Sequence, residues 1–193
     1  MKQLGSLFVA MMLVASISSA QGAWTFDKVH SSIQFSIKHM VISTVTGTFK
    51  DFSVDLKSDK PDFTDASVAA VIKVASINTD NAMRDGHLKS DDFFNAEKFP
   101  EIKFVSTSFE KTGENKYKIT GDLTIRDVTK KATFDATLGG TLKTDRGTLA
   151  AWSATTTINR FEYNLKWSKT LETGGLMVGQ DVTITMNLEL NKK

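Results

Sequence analysis

Val182-Thr-Ile184-Thr-Met186-Asn-Leu188-Glu-Leu190 alternates apolar and polar side chains without a break. A period of two puts every apolar group on one face and every polar group on the other, which is how a half-buried strand reads. Working outward, the same period recurs nearly everywhere. Ile33, Phe35 and Ile37 alternate with Ser32, Gln34, Ser36 and Lys38. Val68, Ala70, Ile72 and Val74 form one face, Ile102 and Phe104 open another strand, and Ala132, Phe134, Ala136 and Leu138 line a further one. Tyr117, Ile119, Gly121, Leu123 and Ile125 alternate with Lys118, Thr120, Asp122, Thr124 and Arg126, and Trp152, Ala154, Thr156 and Ile158 repeat the pattern. Val45, Gly47 and Phe49 share a face, but the next apolar set is Phe52, Val54 and Leu56, a slip of one position that predicts a bulge. Turns fall at 58–62 with Pro61, 112–115, 127–129 and 145–147.

About eight strands result, many near ten residues long, which exceeds the usual five or six. Only residues 78–99 break the rhythm: Asp80 reads as the N-cap of a helix over Asn81 to Leu88, and Asp91 caps a second short turn through Phe94. So many long strands in a small domain would leave two open edges, and closure removes them. The expected class is all-β, a single eight-stranded antiparallel barrel with a short helical excursion around residues 80–95. Eight strands leave an interior that side chains fill or that holds one small ligand. The small inward residues Gly47, Ala70, Gly121, Ala136 and Ala154 permit either. An outer-membrane barrel would gather its aromatics into two girdles, whereas Phe35, Phe104 and Phe134 sit mid-strand, so a soluble barrel is expected.

Residues 1–20 stand apart. Lys2, the apolar run Leu7 to Val14 and Ser18-Ser19-Ala20 read as a signal peptide cleaved after Ala20, with a cut after Gly22 as the alternative. The apolar run is too short to span a bilayer well, and no later run is long and apolar enough to cross as a helix. The barrel domain then covers 21–193, with no transmembrane segment left after cleavage. The 193 residues carry 24 Lys and Arg against 22 Asp and Glu, a formal charge of +2, so no broad field exists to hold nucleic acid. Zero cysteines exclude disulfides, thiol nucleophiles and iron–sulfur clusters.

Chemistry-bearing residues are few. His30, His39 and His87 lack metal-ligand spacing, so no metal is expected, and they read as hydrogen-bonding backbone at strand ends. Arg84 and His87, three apart, share a helix face and suit an anion clamp at a barrel mouth, though spacing alone favours a loop fastened to the rim by the same groups. Arg160, one step past a strand, has the same two readings. No Gly-x-Ser-x-Gly elbow or phosphate loop occurs, so no catalytic residues and no cofactor are assigned.

The opening Trp24-Thr-Phe-Asp27-Lys-Val-His30-Ser31-Ser-Ile-Gln-Phe35-Ser-Ile-Lys-His39-Met40 resembles that of the YceI-like family of bacterial periplasmic lipid-binding proteins. Gly47-Thr-Phe49-Lys-Asp-Phe52, Arg84-Asp85-Gly-His87-Leu88-Lys-Ser-Asp-Asp92-Phe93-Phe94, Phe99-Pro100-Glu-Ile-Lys-Phe104, Gly121-Asp-Leu123-Thr124-Ile125 and Val178-Gly179-Gln-Asp181-Val182 continue the likeness in order. Two positions depart from it: Asp127 stands where the family often has glycine, and Glu162-Tyr163-Asn164 replaces an Asp-Phe-Gly-like run.

The resemblance implies a lipocalin-like barrel holding a polyisoprenoid lipid, such as a polyprenyl pyrophosphate or the tail of an isoprenoid quinone, and makes a homodimer an expectation. Phe35, Ile37, Ile72, Phe104, Leu123, Ile125, Phe134, Trp152, Ile184 and Met186 would line the cavity. His39, Arg84 and His87 would meet the head group, with Asp85 orienting one of them. Two other functions compete: an enzyme acting on a lipid or phosphate ester at the same mouth, and a filled barrel working through its surface as a stress or interaction protein.

Overall fold

Eleven strand segments run antiparallel in a sheet that closes on itself. The computed structural model describes residues 22–172 and 174–192; the signal peptide expected over 1–20 lies outside them. In chain order the elements are β1 Ala23–Phe26, β2 Ser32–His39, β3 Ser43–Phe49, β4 Phe52–Lys57, β5 Ser67–Lys73, β6 Ile77–Asn78, α1 Ala82–Lys89, β7 Glu101–Gly113, β8 Lys116–Ile125, β9 Val128–Thr144, β10 Gly147–Asn159 and β11 Val178–Lys192.

These eleven segments make eight barrel walls, because three walls are each broken in two. β1 and β2 lie end to end against β11, with Phe26 opposite Leu190 and Ser32 opposite Asn187. β4 pairs with β1 and β3 with β2; β5 pairs with β4 and β6 with β3. From β7 to β11 each strand pairs with the next as a meander. The slip between Phe49 and Phe52 is the break at Lys50–Asp51, and it keeps Phe49, Phe52, Val54 and Leu56 all buried.

The first break is locked by side chains. Asp27 Oδ1 accepts from the backbone N–H of Val29 at 2.7 Å and of His30 at 3.2 Å, and Oδ2 lies 3.0 Å from His30 Nδ1. Ser31 Oγ accepts from Glu189 N at 3.0 Å, tying the break to β11. The Asp27-x-x-His30-Ser31 stretch is thus a structural corner on the outer wall. The third break is a 3-10 turn at Val74–Ser76, facing the second through Lys50 N donating to Ser76 O at 3.1 Å.

One seam of the barrel is incomplete. The β5–β7 ladder runs from Ala69 opposite Val105 to Lys73 opposite Glu101, and Val74 N donating to Pro100 O at 2.9 Å is its last rung. Beyond it β6 pairs only with β3, and residues 79–100, including α1, cover the gap. Lys73 Nζ, 2.5 Å from Glu101 Oε1, marks the end of the ladder, and Lys103 Nζ lies 2.9 Å from Oε2. The Lys73 hydrogen bond, then that of Lys103, holds the Glu101 carboxyl down at about 2. A depressed carboxyl stabilises the fold above its unfolded value of 4.5 and loses that contribution as pH falls towards 2. The thermal unfolding midpoint should therefore drop across that window, and Glu101→Gln should make the drop shallower; identical profiles would contradict this.

The opposite end is plugged. Phe63, fully buried, packs on Trp24 at 5.2 Å and Trp152 at 5.1 Å between ring centroids. Tyr117 Oη donates to Asp62 O at 2.9 Å, fastening the 58–66 loop across that end.

Three expectations need correcting. The helix cap is Asn81, whose side chain accepts from Arg84 N at 3.0 Å with φ −147°; Asp80 precedes it at φ +58° and cannot serve. Arg126 is not an outward strand residue. It follows β8 at φ +54°, and its guanidinium turns back under the rim, where Nη1 donates to Asp91 O at 2.9 Å and Phe93 O at 2.6 Å. Nor do the histidine rings bond backbone: His30 meets Asp27, His87 Nε2 lies 2.9 Å from Asp92 Oδ2, and the His39 imidazole has no hydrogen-bond partner among the described residues.

Candidate functional site

Alternation along the strands directs one side chain in two inward, and the inward set does not fill the barrel. A cavity of about 320 Å³ remains, within the range of small-molecule sites. All of Phe35, Ile37, Ile72, Phe104, Leu123, Ile125, Phe134, Trp152, Ile184 and Met186 line it. So do Ala70, Ala136 and Ala154, the small residues that leave the space. The inward side chains leave this space open rather than filling the barrel.

The plugged end is aromatic, with Trp152 boxed by Phe63, Phe109 and Tyr117 at centroid distances of 5.1, 5.6 and 4.9 Å. Its indole N–H is buried without a hydrogen-bond partner among the described residues, consistent with a donor that faces aromatic rings.

The other end carries the polar groups. His39, Arg84 and His87 all line the cavity there, whereas Asp85 does not. Arg84 Nε donates to Thr79 Oγ1 and Nη2 to Thr79 O, both at 2.8 Å. Asp85 Oδ1 in turn accepts from Thr79 Oγ1 at 2.5 Å and Thr79 N at 2.9 Å. Asp85 therefore orients Arg84 at one remove, through a threonine that spacing alone did not single out. The His87 ring stands edge-on to Phe93 at 5.1 Å and to Trp167 at 5.4 Å. Together with Phe94, which meets Phe49 at 6.1 Å, these rings form a cover over the mouth.

Arg160 holds the rim together. It is only 2% exposed. Nε donates to Gly179 O at 2.7 Å, Nη1 to Leu165 O at 2.5 Å and Trp167 O at 2.8 Å, and Nη2 to Val178 O at 3.0 Å. Its planar fork, stacked 4.3 Å from the Phe161 ring, gathers two segments whose backbones otherwise meet at the Thr170–Leu176 bridge and the Met177 N to Lys169 O hydrogen bond. Burial pushes its pKa down, and among the described residues no carboxylate lies within ion-pair distance. With Arg84, it puts two guanidinium groups on the cavity lining at the mouth.

The two departures from the family pattern touch each other. Asn164 sits at φ +59°, a left-handed position that glycine or asparagine tolerates, and its Nδ2 donates to Asp127 Oδ1 at 3.1 Å. That hydrogen bond is the first cause holding the Asp127 carboxyl below its usual range. Among the described residues one group has metal-ligand convergence: Asp27, His30 and Glu189, whose ligand atoms lie within 4.8 Å of one another at the first wall break. Its atoms are on the outer wall and take no part in the cavity.

Comparison with known proteins agrees with this geometry. A UPF0312 protein of Staphylococcus aureus is 41% identical over 170 residues, covering 87% of this chain and 96% of its own. The Campylobacter jejuni YceI protein, solved as a variant with a monobromobimane guest, is 36% identical with a TM-score of 0.71, covering 81% of this chain and 90% of its own. Burkholderia cenocepacia BcnA is 26% identical with a TM-score of 0.74, over 85% of this chain and 98% of its own. A Saccharophagus degradans domain described as polyisoprenoid binding shares the fold at 13% identity and a TM-score of 0.63, over 90% and 99%. Residues 24–190 match the YceI-like domain, and the chain belongs to that family.

Proposed function

We propose that the protein is a periplasmic carrier for a long-chain amphiphilic lipid, a polyisoprenoid or an isoprenoid quinone, and performs no catalysis on it. The observation that carries this reading is the cavity itself: apolar along its length, plugged by aromatics at one end, ringed by Arg84, His39, His87 and Arg160 at the other. The Saccharophagus neighbour, described as binding polyisoprenoids, supports the same reading. A cavity of this volume buries ~10 methylene-sized groups, which at about 0.8 kcal/mol each supply ~8 kcal/mol before ordering costs, so the tail drives binding and the mouth discriminates among head groups.

Native mass spectrometry of protein purified from the periplasm, followed by organic extraction, tests the proposal. A stoichiometric prenyl lipid or quinone is expected, and the same spectrum reports any homodimer. A clean apo mass that stays unchanged after incubation with prenyl lipids would overturn it. For the mouth, Arg84→Ala should weaken a prenyl pyrophosphate by roughly 10-fold, the scale of one charge-assisted contact, while a neutral quinone is nearly unaffected. Equal losses for both would remove the anion clamp.

A further inference from the structure

Among the described residues seven large apolar side chains stand exposed: Val29, Met40, Val41, Ile42, Met83, Val105 and Leu142. Scattered singly, such residues need no explanation. Four of them, however, flank the cavity mouth. Met40, Val41 and Ile42 form the whole connection between β2 and β3, directly after His39, which lines the cavity. They are 41%, 60% and 88% exposed. Met83, 87% exposed, precedes the mouth residue Arg84 on α1.

The chemistry of this tip is wrong for a turn in water. Met40 has φ +49° and Val41 φ +68°, positions that asparagine, aspartate or glycine fill at little cost and a β-branched residue fills under strain. The strained turn is nonetheless held in place. Met40 N donates to Met177 O at 2.8 Å, and Val41 lies so close to Gly175 that a Cβ there would come within 3.0 Å of it. Three exposed lysines lie on the strand and segment that hold it: Lys38, whose Nζ bonds Thr44 Oγ1 at 3.3 Å, and Lys166 and Lys169 on the 165–177 segment, against the exposed acids Glu172 on that segment and Asp181 on β11. Apolar side chains projecting beside an excess of lysine suit the interface of an anionic bilayer.

We infer that the Met40-Val41-Ile42 tip docks the barrel mouth onto a bilayer containing anionic lipid, so that cargo passes between membrane and cavity without crossing water. The inference rests on the carrier reading. A tip of three residues gives weak, reversible attachment, which is what a shuttle requires.

The test uses the mature protein, vesicles of phosphatidylethanolamine and phosphatidylglycerol, and an isoprenoid quinone as cargo. Val41→Asn with Ile42→Ser removes the apolar tip while placing a tolerant residue at the left-handed position. Wild-type protein should float with the vesicles and move quinone from donor to acceptor vesicles. The double variant should lose flotation and transfer about 10-fold more slowly, yet bind quinone delivered from detergent within about 2-fold of wild type. Transfer at the wild-type rate, or a wild type that does not float, overturns the docking role. So does a dimer in sedimentation that the variant dissociates, since a second copy would then cover the tip. Quinone bound by neither route would overturn the carrier reading instead, with flotation still reporting on the tip.

Discussion

Replacing Arg160 with Met should destabilise the protein by on the order of 3–5 kcal/mol, from four buried carbonyls at about 1 kcal/mol each. Methionine roughly matches the length of the apolar stem, so the loss isolates the guanidinium's hydrogen bonds from its packing. The carbonyls of Leu165, Trp167, Val178 and Gly179 belong to two segments that are joined further along by the Thr170–Leu176 bridge and by Met177 N donating to Lys169 O, and this side chain ties them at the rim. Arg160→Lys should recover little, because an ammonium cannot donate along a planar fork to four directions at once. Urea denaturation measures the loss. Hydrogen exchange should place it at the rim, with amides near 165–167 and 178–179 opening first while the plugged end stays protected. A Lys variant as stable as wild type would show that charge alone is what the site requires.

Ala154→Phe should abolish binding of a prenyl lipid while leaving a folded barrel. Ala154 faces the cavity midway along β10, beside Ala136 and Met186 on the neighbouring strands. A ring there fills existing space before it strains the wall, so the stability cost should fall at or below the ~1–3 kcal/mol typical of overpacking. Displacing even three methylene-sized groups of ligand forfeits about 2.4 kcal/mol, roughly 50-fold in affinity. Displacement titration with a quinone reads the loss directly. Unchanged affinity would mean that the lipid does not occupy this depth of the barrel.

The walls could be read from the chain because alternation is a local property. Val182 to Leu190 turns Leu188 and Leu190 inward and Glu189 outward, and the slip at Phe49 and Phe52 marks a real break. The two matching breaks were harder to see. Val74-Ala75-Ser76 contains no turn-forming signal and reads as strand, and the 27–31 corner depends on Asp27 folding back onto His30. The site divides the same way. Cavity residues follow from strand parity, so a list drawn from alternation lands on the cavity wall. The rim does not follow, because Arg126 and Arg160 bind backbone carbonyls of distant segments, and no spacing encodes such partners. Their one legible trait is position: each arginine directly follows the end of an inward-facing strand pattern.

The incomplete seam between β6 and β7 changes how a long guest could be loaded. An unbroken tube must be threaded from one end, and every added isoprene unit lengthens the journey. This wall instead has a slit, bounded at its base by the Lys73–Glu101 clasp and covered by residues 79–100 rather than by a ladder. Swinging that cover aside breaks side-chain contacts and a few backbone bonds but no β-pairing between β6 and β7. A chain laid in broadside through such an opening, as thread is pressed into a notch, would meet a barrier set by its width and not by its length.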